Sequence, residues 1–150
     1  MRKRTHAREL VLQFLYQQEM NPDALESALA AFWGEHADAG QEIRSYTERV
    51  IKGTLEHLAE LDALITRYAD NWKLNRMAAI DRNILRYAAF EILYLEDIPP
   101  KVAINEAVNI AKKFSQPDSG KFVNGVLDKI NHTETHKYSA AAPKTEESGD

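Results

Sequence analysis

The densest apolar pattern in the chain lies at residues 80–95. Apolar side chains recur there every four positions from Ile80 to Ile92, so they share one face of an α-helix. From Tyr87 onward only Glu91 interrupts the apolar run. A helix that is apolar on nearly every side needs neighbours all round it, so this segment is predicted to lie at the centre of a helical bundle.

The first half of this central helix is charged, which predicts a solvent-facing rim. The helix is expected to stop before Pro99 and Pro100, because residues that precede proline avoid the α region and proline cannot continue the hydrogen-bond ladder. The predicted rim consists of Asp81, Arg82, Asn83 and Arg86.

The same periodicity predicts only helices in the rest of the domain, and no convincing strand pattern or repeat accompanies them. Asn21 and Pro22 form a typical helix start, with a capping asparagine and proline at the first helical position. The expected fold is all-α, a compact bundle of about six or seven helices. The further helices are predicted over residues 5–20, 22–33, 41–68, 101–114 and 119–130.

Periodicity ends at residue 131. Residues 132–150 are rich in Thr, Ser, Ala, Lys and Glu, and this composition predicts a disordered tail. The helical domain is therefore expected to span residues 1–131. A joint near Trp72 is predicted to divide it into two packed subdomains, about 4–73 and 74–131.

Composition excludes several classes of protein. No stretch of eighteen apolar residues is present, so no membrane span is predicted. The N-terminus has charges but no apolar segment after them, unlike a secretory signal. The absence of cysteine excludes disulfides, thiolate catalysis and cysteine zinc sites, and it fits a reducing cytoplasm. A cytoplasmic location is expected.

Charge is unevenly distributed along the chain. The formal net charge is −4, yet the first twenty residues carry four cations against two carboxylates, a balance of +2. Cations at a helix N-terminus oppose the macrodipole, so a role other than helix stability is indicated, and phosphate is the anion that such a place attracts. An ordinary solubilising start is the alternative. The four cations are Arg2, Lys3, Arg4 and Arg8.

No pattern indicates catalysis, a metal site or a bound cofactor. His132 and His136 are four residues apart, but the glutamate between them is not in the position that zinc proteases use. Gly120-Lys121 lacks the rest of a phosphate-binding loop, and there is neither a nucleophile elbow nor a dinucleotide fingerprint. Nothing in the sequence therefore argues for an enzyme, and the chain is predicted not to be one.

Seven short stretches, which together cover about residues 4–131, form a recognisable set. They are Ala7-Arg8-Glu9-Leu10, Leu15-Tyr16-Gln17, Asp81-Arg82, Ile84-Leu85-Arg86, Asp97-Ile98-Pro99, Val102-Ala103-Ile104-Asn105-Glu106-Ala107 and Lys121-Phe122-Val123-Asn124-Gly125-Val126-Leu127-Asp128-Lys129. This set resembles the NusB family of bacterial transcription factors. The two C-terminal stretches are long and ordered, which makes the resemblance specific.

This resemblance implies a fold of two packed helical bundles and a role in transcription antitermination. NusB-like proteins pair with NusE, a ribosomal small-subunit protein, on single-stranded boxA RNA. The pair helps assemble an RNA polymerase complex that resists termination, also during ribosomal RNA synthesis. Two alternatives stay open: an RNA-docking module of an rRNA-modifying system, because some rRNA cytosine methyltransferases carry a similar domain, and a structural homodimer.

The resemblance also implies site residues. Lys121 and a helix N-terminus suit phosphate, Phe122 suits a base, and Asp118 suits a base amine. Alternatively, Asp118 only caps the helix, Phe122 only packs, and Tyr16 is a core residue. The implied RNA-binding residues are Arg2, Lys3, Arg4, Arg8, Tyr16, Asp118, Lys121 and Phe122, and the implied rim for NusE or RNA is Asp81, Arg82 and Arg86.

Overall fold

The computed structural model describes residues 2–70 and 72–141, with side chains as far as Glu134. These residues form seven α-helices and no strand, so the all-α prediction is confirmed. A 3-10 turn at Leu74–Arg76 lies between the fourth and fifth helices. The helices are α1 (Lys3–Met20), α2 (Leu25–Glu35), α3 (Gln41–Glu56), α4 (Leu58–Tyr68), α5 (Ala79–Tyr94), α6 (Pro100–Phe114) and α7 (Ser119–Ala141).

Helix α5 is the centre of the fold, as its apolar pattern predicts. It packs against α1, α3, α4, α6 and α7, and Ile84, Leu85 and Ala88 are completely buried. Helix α3 approaches it so closely that a Cβ atom on Gly53 would lie 2.0 Å from the Phe90 ring. Glycine is therefore required at this crossing.

Two predicted helix boundaries are wrong. The segment 41–68 is two helices, because His57 leaves the helical conformation (φ −109°, ψ 21°) and its ring stacks 4.1 Å from the Tyr94 ring. Helix α2 begins at Leu25 and not at Pro22, because Asn21 is the C-cap of α1, where its backbone leaves the helical conformation (φ −134°, ψ 79°). The contact between His57 and Tyr94 has no local sequence signal, because the two residues lie 37 positions apart.

The predicted charged rim of α5 is not a solvent-facing surface. Asp81, Arg82 and Asn83 are buried, and Arg86 is half-buried. Each of these side chains forms hydrogen bonds or ion pairs with groups from other parts of the chain. Buried polar and charged groups are tolerated only when they are paired in this way. The prediction of a solvent-facing rim is wrong because the groups that pair with these side chains lie far away in the sequence.

Helix α7 continues beyond the predicted end of the domain to Ala141. The prediction of a disordered tail is therefore wrong for residues 132–141, while residues 142–150 lie outside the described residues. Glu134 is buried and accepts a hydrogen bond of 2.6 Å from the Tyr68 hydroxyl, which ties the extension to α4. The division into two subdomains stays a prediction.

Across the described parts of the chain, none of the helices combines the length and the apolarity that crossing a bilayer requires. Nor do three His, Asp or Glu side chains come together there as a set of metal ligands. The His136 side chain lies outside the described residues.

Candidate nucleic-acid interface

The cationic start of the chain lies against the first half of α3. Arg2, Lys3 and Arg4 are exposed. The Lys3 Nζ atom lies 2.8 Å from a carboxylate oxygen of Glu42, and the Arg4 guanidinium carbon lies 4.1 Å from the centre of the Tyr46 ring. These three residues, named here the arm, keep their charged groups accessible to a ligand.

Arg8 does not belong to the arm, contrary to the implied assignment. Its side chain is only 2% exposed, and its Nε atom donates to both carboxylate oxygens of Glu91, at 2.8 and 3.1 Å. A second carboxylate, that of Glu106, lies 3.2 Å from Nη1. A guanidinium held in this way is not available to RNA phosphate.

The Arg8 contacts form a buried polar cluster at the base of the arm. Burial raises the pKa of Glu91, although Arg8 and a short hydrogen bond from Tyr46 oppose the shift. Burial and the nearby Glu91 charge raise the pKa of the Tyr46 hydroxyl well above its usual range. Thr5 donates to Glu106 at 2.7 Å. The cluster therefore fixes the first turns of α1 against α3, α5 and α6.

An open groove follows α1 from the arm toward the turn between α6 and α7. Tyr16 is 40% exposed and Phe114 is 43% exposed, and the two rings line its middle. The half of the groove beside α1 encloses about 390 Å³, and the half beside the turn about 520 Å³. The halves adjoin each other, since Tyr16, Ile80 and Phe114 line both.

The exposed fractions of two side chains settle whether Tyr16 is a core residue and identify Phe114 as a further groove residue. Tyr16 is an accessible groove residue and not a core tyrosine. Phe114 was missed because an aromatic residue at the end of an apolar helical pattern is usually buried. The only sequence signal for it is the Ser115-Gln116-Pro117 turn that follows, which ends the helix before the ring is covered.

The start of α7 follows directly after Pro117, which lines the far end of the groove. Asp118 is exposed, and its carboxylate has no hydrogen-bond partner among the described residues. The Ser119 hydroxyl accepts instead from the backbone N–H of Gln116. Phe122 is half-buried, with its ring 5.4 Å from that of Trp72, and Lys121 is exposed. Asp118 is thus left accessible, whereas Phe122 packs against the core as well as against Trp72 and stays half-buried.

The arm and the start of α7 adjoin the two ends of this groove in sequence. His6 lines one end and follows Arg2 and Lys3 by four and three residues, and Pro117 lines the other end, directly before Asp118. Along α1, the twelve residues from Arg4 to Tyr16 span about 18 Å. This length accommodates several nucleotides of an extended strand.

The predicted rim residues hold the walls of this groove in place. Asp81 accepts hydrogen bonds from the Ser115 and Ser119 hydroxyls, at 2.6 and 2.9 Å, and so fixes the turn between α6 and α7. Arg82 donates to Glu19 at the end of α1, and Arg86 lies 3.2 Å from the same carboxylate. Asp81 and Arg82 are too buried to offer a contact surface to a partner.

Glu19 is the acceptor that joins α1 to α5. Burial alone would raise its pKa, but hydrogen bonds from Arg82 and Asn83, with the charges of Arg82 and Arg86, outweigh burial and lower it below the ordinary value of 4.5. A carboxylate with a lowered folded-state pKa stabilises the fold above its unfolded-state pKa. That stabilisation is lost as pH falls through the folded-state value.

Glu19→Gln is therefore expected to lower the free energy of unfolding at neutral pH by about 1–2 kcal/mol, because a neutral amide weakens three charge-assisted contacts. It should also flatten the loss of stability on acidification. Urea unfolding between about pH 3 and pH 7 measures both effects. Glu96→Gln, at an exposed carboxylate outside the helices, is the matched control. Equal acid sensitivity in the Glu19→Gln variant and the unmodified chain would contradict the assignment.

This all-helical domain has an open groove with exposed aromatic rings in its lining and cations close to one end. These features define a protein that binds an extended ligand. The NusB family model matches residues 5–132. The transcription antitermination protein NusB of Thermodesulfovibrio yellowstonii is 45% identical, over 92% of this chain and 98% of the relative. That of Trichlorobacter lovleyi is 41% identical, over 98% and 96%. The chain belongs to the NusB family.

Solved structures agree with this assignment. The structure of T. maritima NusB superposes with a TM-score of 0.82 at 36% identity, covering 93% of this chain and 98% of that chain. A crystal structure of the antitermination factors NusB and NusE in complex with double-stranded RNA superposes with a TM-score of 0.79 at 25% identity, covering 88% and 98%. The predicted NusB-like fold is confirmed.

Proposed function

We propose that this chain is a cytoplasmic transcription antitermination factor. In this proposal it binds single-stranded boxA-type RNA together with NusE and helps assemble an RNA polymerase complex that resists termination, including during ribosomal RNA synthesis. The name shared by its relatives supports the role. The proposal assigns binding to this chain and no catalytic step, no metal and no cofactor.

The observation that carries the proposal is the groove of two adjoining halves, whose lining runs from His6, close to the arm, to Pro117, directly before Asp118. Arm cations that meet phosphates supply a salt-dependent part of the affinity. Tyr16 and Phe114 offer exposed rings, and stacking contributes about 1–3 kcal/mol for each base. Asp118 accepts from a base amine, so sequence choice is assigned to that end of the groove and not to the arm.

NusE is assigned as a partner because a structural neighbour contains NusB, NusE and RNA in one complex. The RNA in that neighbour is double-stranded, whereas exposed rings favour a single strand, whose bases are free to stack on protein. Binding of the full chain should therefore be measured with single- and double-stranded RNA of one sequence, with and without purified NusE. The expected result is tighter binding of the single strand, strengthened by NusE.

Removing the arm charges with Arg2→Ala, Lys3→Ala and Arg4→Ala together is expected to weaken binding to all RNAs alike. Each lost phosphate contact should also reduce the slope of log affinity against log salt by about 0.7. Fluorescence anisotropy over a series of salt concentrations measures both quantities. Lys52→Ala with Arg67→Ala removes two cations from α3 and α4 and should leave the slope unchanged. An arm variant with an unaltered slope would overturn the electrostatic part of the proposal.

NusE retention and gel filtration separate the proposal from the two alternatives. An RNA-docking module of an rRNA-modifying system would bind RNA but would not retain NusE. A structural homodimer that covers the groove would elute as a dimer and release RNA as its concentration rises. Either result would overturn the antitermination role, whereas a chain that binds NusE and single-stranded RNA together supports it.

A further inference from the structure

A second depression, named here the α4/α7 cleft, lies beyond the start of α7 and includes two of the implied RNA-binding residues, Lys121 and Phe122. It encloses about 470 Å³ and borders the groove, because Lys121 and Phe122 stand one helical turn after Asp118. Its lining includes Tyr68, Trp72, Lys121, Phe122, Gly125 and Lys129.

Trp72 is the most exposed large apolar side chain in the described part of the chain, at 50%. One side of its indole contacts Phe122 edge-on, with the ring centres 5.4 Å apart at 61°. The remainder of the ring faces the cleft. A half-exposed tryptophan supported by a second ring is the arrangement on which nucleobases stack in proteins that bind single strands.

Gly125 is a glycine that this fold does not need. It lies in the interior of α7 at ordinary helical φ, and a Cβ atom there would meet no other atom within 4 Å. Gly53 differs, since its Cβ would collide with Phe90. Glycine inside a helix destabilises it relative to alanine. The bare backbone at Gly125 therefore points to close approach by a molecule that is not part of this chain.

The charges of the cleft favour an anion. Lys121 is exposed and has no carboxylate partner among the described residues. Lys129 lies 3.4 Å from Asp70, but the two side chains are 51% and 90% exposed, so this pair is weak and easily exchanged for another anion. Two cations against one carboxylate leave the cleft with a positive balance.

We propose that the α4/α7 cleft is a second nucleotide subsite, where one base stacks on Trp72 and the strand backbone crosses Gly125 between Lys121 and Lys129. This inference rests on the proposed function, because it extends the path of the same RNA past Asp118. It assigns to Trp72, which the sequence pattern marks only as a joint between helices, a direct contact with the ligand.

Substitutions at Gly125 and Trp72 test the subsite in the full chain. Gly125→Ala should raise the Tm by about 2–4 °C, because alanine favours a helix, while it weakens RNA binding several-fold by obstructing the backbone. Gly34→Ala places a methyl group in equally open space on α2 and should leave RNA affinity unchanged. Trp72→Ala should weaken binding about five-fold or more, and Trp72→Phe should retain most of the affinity.

Tryptophan fluorescence gives a direct signal of contact. RNA should quench the emission of the unmodified chain, and the quenching should disappear in Trp72→Phe, because the other tryptophan, Trp33, is buried. Normal RNA affinity in Gly125→Ala and Trp72→Ala, while the unmodified chain binds RNA, would overturn the subsite and leave the proposed function intact. Loss of NusE binding with unchanged RNA affinity would also overturn it, in favour of a protein contact.

Discussion

Glu91→Leu is expected to destabilise the fold by about 3–5 kcal/mol, because it leaves the charge of Arg8 buried without its main partner. Arg8 and Glu91 are 2% and 0% exposed, so water cannot replace the lost carboxylate. The Tyr46 hydroxyl loses its acceptor in the same variant. Urea unfolding followed by circular dichroism measures the change as a shift in midpoint at a constant m-value.

The double variant Arg8→Met with Glu91→Leu is the control for this prediction. Replacing both members of a buried ion pair with apolar residues is often neutral or stabilising, so the double variant should recover most of the stability that Glu91→Leu loses. If both variants were equally destabilised, lost packing and not an unpaired charge would be responsible. A double-mutant cycle with Arg8→Met completes the comparison.

The same ion pair matters for function because it fixes the helix that carries the arm. Arg8 stands one turn after Arg4 and connects α1 to α5 through Glu91 and to α6 through Glu106. This ion pair fixes the orientation of α1 as well as its distance from α5, because a planar guanidinium donates its hydrogen bonds in only a few geometries. The arm cations are thus presented from a rigid helix start.

The helices were predictable because their signals are local. The apolar spacing of α5 and the two prolines after it depend on residues within a few turns of one another, so the sequence alone places the central helix correctly. The break at His57 had no such signal, because it coincides with stacking on Tyr94, a residue 37 positions away. The extension of α7 was missed for a similar reason, since Glu134 is held by Tyr68 of α4.

The site was less predictable because a charge in the sequence does not show whether it is exposed. Arg8 and Arg4 look alike in the sequence, but a buried carboxylate 83 residues away holds the first of them in the core. The side chains of Asp81 and Arg82 were predicted to be exposed for the same reason, but they are buried. By contrast, the side chains of Asp118 and Lys121 are exposed and form no hydrogen bond or ion pair with a described residue. Exposure and partnering are properties of the fold.

Replacing both groove rings, Tyr16→Ala with Phe114→Ala, is expected to weaken single-stranded RNA binding at least thirty-fold, because two lost stacking contacts of about 1–3 kcal/mol each add. The slope of affinity against salt should stay unchanged, since neither ring is charged. This separates the rings from the arm, whose removal changes the slope. Anisotropy titrations over a salt series measure both.

Met20→Ala with Val102→Ala is the matched control, because it truncates two apolar side chains of similar exposure, 47% and 42%, on the same two helices. It should leave RNA affinity unaltered, and Tyr16→Phe should retain the affinity that Tyr16→Ala loses. A ring variant that binds RNA normally, or one that weakens binding only by flattening the salt dependence, would contradict stacking in the groove. Stacking on the two rings would then contribute nothing to RNA affinity, and the arm charges would hold the strand without it.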